Sequence, residues 1–279
     1  MPALPPPAGV EPNFEHPPAN RALVLGIMVP CLTITTIGTL LRLYVKTFIM
    51  RKWHLEDWLL PLVFAFTVAG YVPVFHVYTF APVVHQWNLR LGALQSFLLD
   101  VHVGLIFYDV TMLTLKLAIL VQFLRIFIPE RNFSYWATHA LIWCNTIFYL
   151  AMLFVQLFAC KPIRKQWDPL VTGGSCLDIP LTYLISQSFN FALDALILVW
   201  TQAIIWTLHM SITKRIKLGV LFFAGLIGVV AAAGSIFMNA RMFNTDDQSY
   251  WYALSALMIF PETTAGFLVL SLPVVPKFV

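Results

Sequence analysis

The sequence predicts an all-α fold: a polytopic membrane protein built as a seven-transmembrane-helix bundle. Three observations carry this. Hydrophobic residues make up 59% of the 279 residues and charged residues 11%, whereas an average soluble domain is about 25% charged. Mean hydropathy is +0.80. Apolar stretches near 20 residues recur along the chain, the length that crosses about 30 Å of hydrocarbon at about 1.5 Å per residue.

The stretches divide the chain into a Pro-rich extracytoplasmic tail (1–20), a seven-helix membrane domain (21–273) and a short cytosolic tail (274–279). The first tail, MPALPPPAGVEPNFEHPPAN, lacks the basic n-region and apolar h-region of a cleavable signal and reads as a disordered lead-in. The spans are expected at 22–45, 57–80, 97–124, 137–160, 181–208, 217–240 and 251–273. The third is long and carries the most charge. The sixth is built from small residues, GLIGVVAAAGS, which allow close helix packing. The seventh holds Pro261, which removes a backbone donor before Glu262 and is expected to kink the helix.

Charge placement orients the bundle. Lys46, Arg51, Lys52, Arg125, Arg131, Lys214, Arg215, Lys217 and Lys277 fall on one side. Arg21, Arg90, Lys161, Arg164, Lys165 and Arg241 fall on the other, and Arg42 and Lys116 lie within spans. The positive-inside rule therefore places the N-terminus outside or in a lumen and the C-terminus in the cytosol, by nine basic residues to six. A net charge of +4 confined to short loops indicates no nucleic-acid partner; the expected surroundings are the lipid bilayer of an endomembrane or the plasma membrane. Cys160 and Cys176 bracket an outer loop, CKPIRKQWDPLVTGGSC, whose Pro and Gly-Gly signals bring its ends together. That compartment permits a disulfide, the alternative being two separate thiols. Cys31 and Cys144 lie within spans as packing residues.

Charged residues inside the spans are the main functional signal. A charge in lipid costs about 2.5–3.5 kcal/mol on insertion scales, so such residues face a protein interior or a wet cavity. In span three, Gln95, His102, Asp109, Lys116 and Phe123 recur by sevens and form one line, drifting only about 20° per heptad. In span five, Tyr183, Gln187, Asn190, Asp194 and Thr201 fall within an arc of roughly 60°. In span seven, Trp251, Ser255, Glu262 and Gly266 share a side. Asp194, Glu262 and Asp109 are the candidate catalytic acids. Lys116, His102, Tyr183, Gln187, Asn190 and Arg241 are candidate binding residues. One alternative is a purely structural salt-bridge network, in which Lys116 pairs with Asp109 or Asp194, Asp109 being preferred, and Glu262 with Arg241. The other is a polar-floored, aromatic-walled cavity for a lipophilic small molecule. The acids outnumber the bases, so at least one is expected to keep its proton, as proton-initiated cyclisation or isomerisation requires; Asp194 is the first choice. No metal site is expected, since His102 and His76 lack a ligand partner one turn away.

Several stretches together resemble the fungal rhodopsin-like domain family, the seven-span type first named from a satratoxin biosynthesis cluster. They are RLYVKTFIMRKWHLEDWLL with Asp57 opening span two, KLAILVQFLRIF, CKPIRKQWDPLVTGGSC, the segment from FNFALDALILVWTQAIIWTL to NARM with Asp194 and Arg241, and WYALSALMIFPETTAGFLVLSLPVVP with Glu262. The resemblance covers about residues 22–276. It implies a multi-pass membrane protein of the kind often found in secondary-metabolite clusters, with a receptor-like branch as a second possibility. No Cys-rich segment precedes span one and little chain follows span seven, which argues against the receptor-like branch. Retinal is not expected as cofactor: a Schiff base needs a lysine, and the last span has none before Lys277. The resulting expectation is a protein that binds or acts on a lipophilic metabolite, as an acid-catalysed cyclase or isomerase. A ligand sensor or a structural or transport accessory are the alternatives. Oligomeric state is not indicated.

Overall fold

Among the described residues, seven helices are long and apolar enough to cross a membrane. The computed structural model describes residues 2–15, 17–128, 130–207 and 212–274. Lys277 and most of the expected cytosolic tail, and the side chains of Lys214, Arg215 and Lys217, lie outside them. The helices are α1 (Arg21–Tyr44), α2 (Leu55–Phe80), α3 (Leu91–Phe127), α4 (Phe133–Phe158), α5 (Ile179–Thr207), α6 (Ile212–Phe243) and α7 (Gln248–Ser271). Each expected span lies on one of them with ends displaced by a few residues. The largest displacement is at α3, whose 37 residues extend roughly 55 Å and so project beyond the hydrocarbon layer.

Helices α3 and α7 form the centre. Half or more of their most apolar segments is buried, against 17–28% for the other five. Small residues let the backbones approach. A Cβ on Gly266 of α7 would lie 2.6 Å from Leu115 Cδ2 of α3. Ala231 and Ala232 bury the small-residue face of α6, which packs on α7 at Gly228 and Gly234. Helix α7 continues through Pro261.

Two polar clusters close the bundle at opposite ends. At one end α1 passes into a single π-helical segment (Val45–Met50), and Arg51 takes a left-handed conformation (φ 51°) to turn the chain into α2. Arg42 and Asp57 are then buried face to face. Arg42 Nε and Nη2 donate to Asp57 Oδ1 at 3.0 and 2.6 Å, Nη1 donates to the Leu270 carbonyl of α7, and Lys46 Nζ lies 2.7 Å from Asp57 Oδ2. Beside them Arg125 of α3 donates to Glu56 of α2. His54, Glu56 and Asp57 converge closely enough to resemble a metal cluster, but Arg42, Lys46 and Arg125 already neutralise the two carboxylates.

At the other end, β1 (Cys160–Lys161) pairs antiparallel with β2 (Ser175–Cys176), and Cys160 and Cys176 are joined as a disulfide. Gly174 (φ 71°) has to be glycine, because a Cβ there would strike the Lys161 carbonyl. In the α2–α3 loop His85 is stacked between Trp87 and Tyr250, at centroid distances of 4.3 and 4.2 Å, and bonds Asp247 at 2.5 Å. The N-terminal tail, expected to be disordered, is laid along this loop. Ala3 N donates to Leu89 O, Asn13 N to Asn88 Oδ1 and Asn20 N to Pro82 O, at 2.9–3.1 Å. A proline-rich strand keeps few backbone donors, and these three find acceptors on the loop.

Candidate functional site

Four helices bring polar side chains together in the middle of the bundle. Lys116 of α3 reaches Asp194 Oδ1 of α5 at 2.7 Å and donates to Asn190 Oδ1 at 2.6 Å. Its ammonium lies 5.5 Å from the Tyr149 ring centroid of α4, within range of a cation–π attraction. Tyr149 OH also donates to Asn190 Oδ1, at 2.6 Å. The other side of that amide, Asn190 Nδ2, donates to Glu262 Oε1 of α7 at 2.7 Å and more weakly to Gln187 Oε1 at 3.4 Å. Tyr108 OH approaches both Glu262 oxygens at 3.4 Å. Asn190 thus joins the Lys116–Asp194 ion pair to Glu262.

Two expected pairings are corrected. Lys116 does not pair with Asp109. Seven residues along one helix separate them by roughly 10 Å, whereas α5 delivers Asp194 and Asn190 directly to the ammonium. Glu262 does not pair with Arg241. Arg241 is exposed on α6, near its end, and packs over the Phe237 ring at 5.3 Å. Of the remaining candidates, His102 is half-buried against Trp167 of the disulfide loop, 5.5 Å between rings. Tyr183 packs against Tyr252 of α7 at 5.8 Å. Asp109 is 1% exposed and its Oδ2 accepts no hydrogen bond.

Cavities flank this network. The inner cavity, about 110 Å³, lies between α3, α5, α6 and α7. Phe123, Ile197, Leu198, Phe222 and Val269 contribute apolar walls, and Lys116, Asp194 and Glu262 line it too. Asp194 Oδ2 accepts no hydrogen bond. The outer cavity, about 240 Å³, lies towards the disulfide end and includes His102, Gln156, Tyr183 and Tyr252. A chamber of about 20 Å³ next to it is lined by Asp109.

The sequence reading missed Tyr108 of α3 and Tyr149 of α4. Tyr108 is one residue from Asp109 and so points about 100° away from the charged line. Tyr149 sits on α4, whose span holds no Asp, Glu, Lys or Arg to draw attention to its face.

Residues 41–279 match the fungal rhodopsin domain. The chain is similar to "Fugralins biosynthesis cluster protein 2" of Gibberella zeae, 29% identical over 99% of this chain and 70% of that protein. It is also similar to a "SAT4 family membrane protein" of Emericella nidulans, 32% identical over 70% of this chain and 49% of that protein. "Satratoxin biosynthesis SC1 cluster protein 4" of Stachybotrys chartarum is 29% identical over 41% of this chain and 44% of that protein. The matches to the latter two therefore span about half the length of those proteins. No solved structure matches the chain.

Proposed function

Given that the chain belongs to the fungal rhodopsin domain family, we propose that it handles a lipophilic small molecule in fungal secondary-metabolite biosynthesis, as an acid-catalysed cyclase or isomerase. The observation that carries this reading is the inner cavity, where apolar walls meet Lys116, Asp194 and Glu262. The names of two relatives, as proteins of biosynthesis clusters, support the setting. A cavity of about 110 Å³ is close to the roughly 150 Å³ that holds a benzene ring. It suits a ring or short chain, with the rest of a larger molecule extending through the mouth.

Each side chain has a distinct part in this reading. Asp194, first choice from sequence, is the ion-pair partner of Lys116 and is assigned as its counter-charge. Glu262 has no ion-pair partner among the described residues and is assigned as proton donor. Tyr108 and Asn190 hold its carboxyl in place. Proton transfer from Glu262 to a double bond or carbonyl of the ligand generates a cation. Asp194 and the faces of Phe123 and Phe222 stabilise it, and loss of a proton from a neighbouring carbon back to Glu262 completes the turnover.

The family's name suggests retinal, but the residues do not fit it. Helix α7 carries no lysine, and Lys116, the one lysine lining the cavity among the described residues, is held by Asp194 and Asn190. In the proposed orientation the disulfide end lies outside or in a lumen and the Arg42–Asp57 end in the cytosol.

The test is deletion of the gene followed by metabolite profiling, complemented with wild type or Glu262→Gln. The expected result is an accumulated lipophilic intermediate that only wild type removes, and that wild-type microsomes convert. An unchanged profile in the deletion strain refutes the biosynthetic role. Altered expression without an accumulated intermediate favours a ligand sensor.

A further inference from the structure

We propose that the chamber at Asp109 binds one alkali-metal cation, reached from the outer cavity and separate from the inner site. Asp109 is almost fully buried, its Oδ2 has no hydrogen-bond partner, and it lines the chamber. A buried carboxylate needs a compensating charge or it is too costly to bury. Among the described residues no side chain provides one. Lys116, one heptad along the same helix, is held by Asp194. His102, one heptad the other way, faces Trp167. Arg241 is exposed over Phe237. No Lys, Arg or His lines the chamber itself.

The lining has the chemistry of a hard-cation site. Besides the Asp109 carboxylate it offers the hydroxyls of Ser186 and Ser255 and the amides of Gln156 and Gln187. Ser255 Oγ accepts from Asn239 at 2.8 Å and Gln187 Oε1 from Asn190 at 3.4 Å. Each oxygen keeps a second lone pair for a ligand. Oxygen donors of this kind suit alkali and alkaline-earth ions rather than transition metals. One carboxylate balances one positive charge, which favours a monovalent ion over a divalent one. At about 20 Å³ the chamber has room for a single water-sized particle, so an organic ammonium is too large. Gln156, Tyr183 and Tyr252 line both the chamber and the outer cavity, so the two spaces adjoin at these side chains.

The test is thermal unfolding of the full chain in detergent, in sodium, potassium or N-methyl-D-glucamine chloride at equal ionic strength and pH. Sodium or potassium should raise the midpoint saturably, by about 3–6 °C at roughly tenfold excess over Kd. Asp109→Asn should abolish the rise, and Glu262→Gln should retain it. Identical curves in the three salts would overturn the proposal and leave Asp109 neutralised by a proton. A rise that persists in Asp109→Asn would overturn it as well. If Asp109→Asn does not fold, Ser186→Ala decides: a several-fold higher half-saturating concentration supports the site, and an unchanged one refutes it.

Discussion

Removing both partners of the Lys116–Asp194 pair should destabilise the protein by clearly less than the sum of removing each alone. Lys116→Met leaves Asp194 charged beside Glu262, and Asp194→Asn leaves the ammonium in a buried site. Breaking a buried pair from one side costs about 3–5 kcal/mol. The 18% exposure of the Asp194 side chain places the expected cost near the lower figure. At about 2–4 °C per kcal/mol, each single variant should melt roughly 6–12 °C below wild type. The double variant Lys116→Met/Asp194→Leu removes both charges, and its loss should fall short of the sum by about 2 kcal/mol, towards the upper part of the range for interacting neighbours. The control is Asp109. Although on the same line of α3, it is roughly 10 Å along the axis from Lys116, so Lys116→Met and Asp109→Asn should add within about 0.5 kcal/mol. Differential scanning of the purified variants gives both cycles. A coupling of Lys116 to Asp109 equal to or greater than that to Asp194 would refute the arrangement.

Three further outcomes are expected. Mass spectrometry of non-reduced protein should recover peptides linked through Cys160 and Cys176; replacing both by Ser should lower stability by about 3 kcal/mol in the chain-entropy model for a loop of about 15 residues. Asn132, in the sequon Asn132-Phe133-Ser134, caps α4 by accepting from Tyr135 N at 3.1 Å and lies at the end proposed to be cytosolic, so protein from a fungal host should carry no glycan there; a glycan would invert the topology. Gly266→Val should cost about 1–3 kcal/mol by overpacking against Leu115, and Leu115→Ala in the same background should recover part of it, measured by thermal unfolding.

Features periodic along one helix could be read in the sequence. The seven spans, the α3 line and the inward face of α5 follow from hydropathy and a repeat near 3.6 residues, and the structure places them there. Which charge meets which is a property between helices, and the sequence contains no distance across a bundle. From one helix alone Asp109 is the preferred partner for Lys116, and only the position of α5 reverses that choice in favour of Asp194. The same reason hid His76, which lacks a partner on its own helix but lies 2.6 Å from Asp100 of α3. The Arg42–Asp57 contact was partly legible, since an Arg near the end of one span and an Asp at the start of the next sit on one side of the bilayer. The third participant, the Leu270 carbonyl, carries no sequence signal, because every residue has a carbonyl.

The two buried ion clusters differ in when they can form during synthesis. Asp57 finds Arg42 and Lys46 within the first helical hairpin, so its charge is matched as soon as α2 leaves the ribosome, and α1 and α2 can enter the bilayer as a unit. Lys116 has no such early partner. Asn190 follows it by 74 residues, which at about 5–20 residues per second is roughly 4–15 s of elongation. Through that interval an unmatched ammonium in the middle of α3 opposes release into lipid. Helix α3 should therefore linger beside the insertion machinery until α5 arrives, which makes the middle of the chain, rather than its start, the step at which membrane integration of this protein is slowest and most sensitive to mutation.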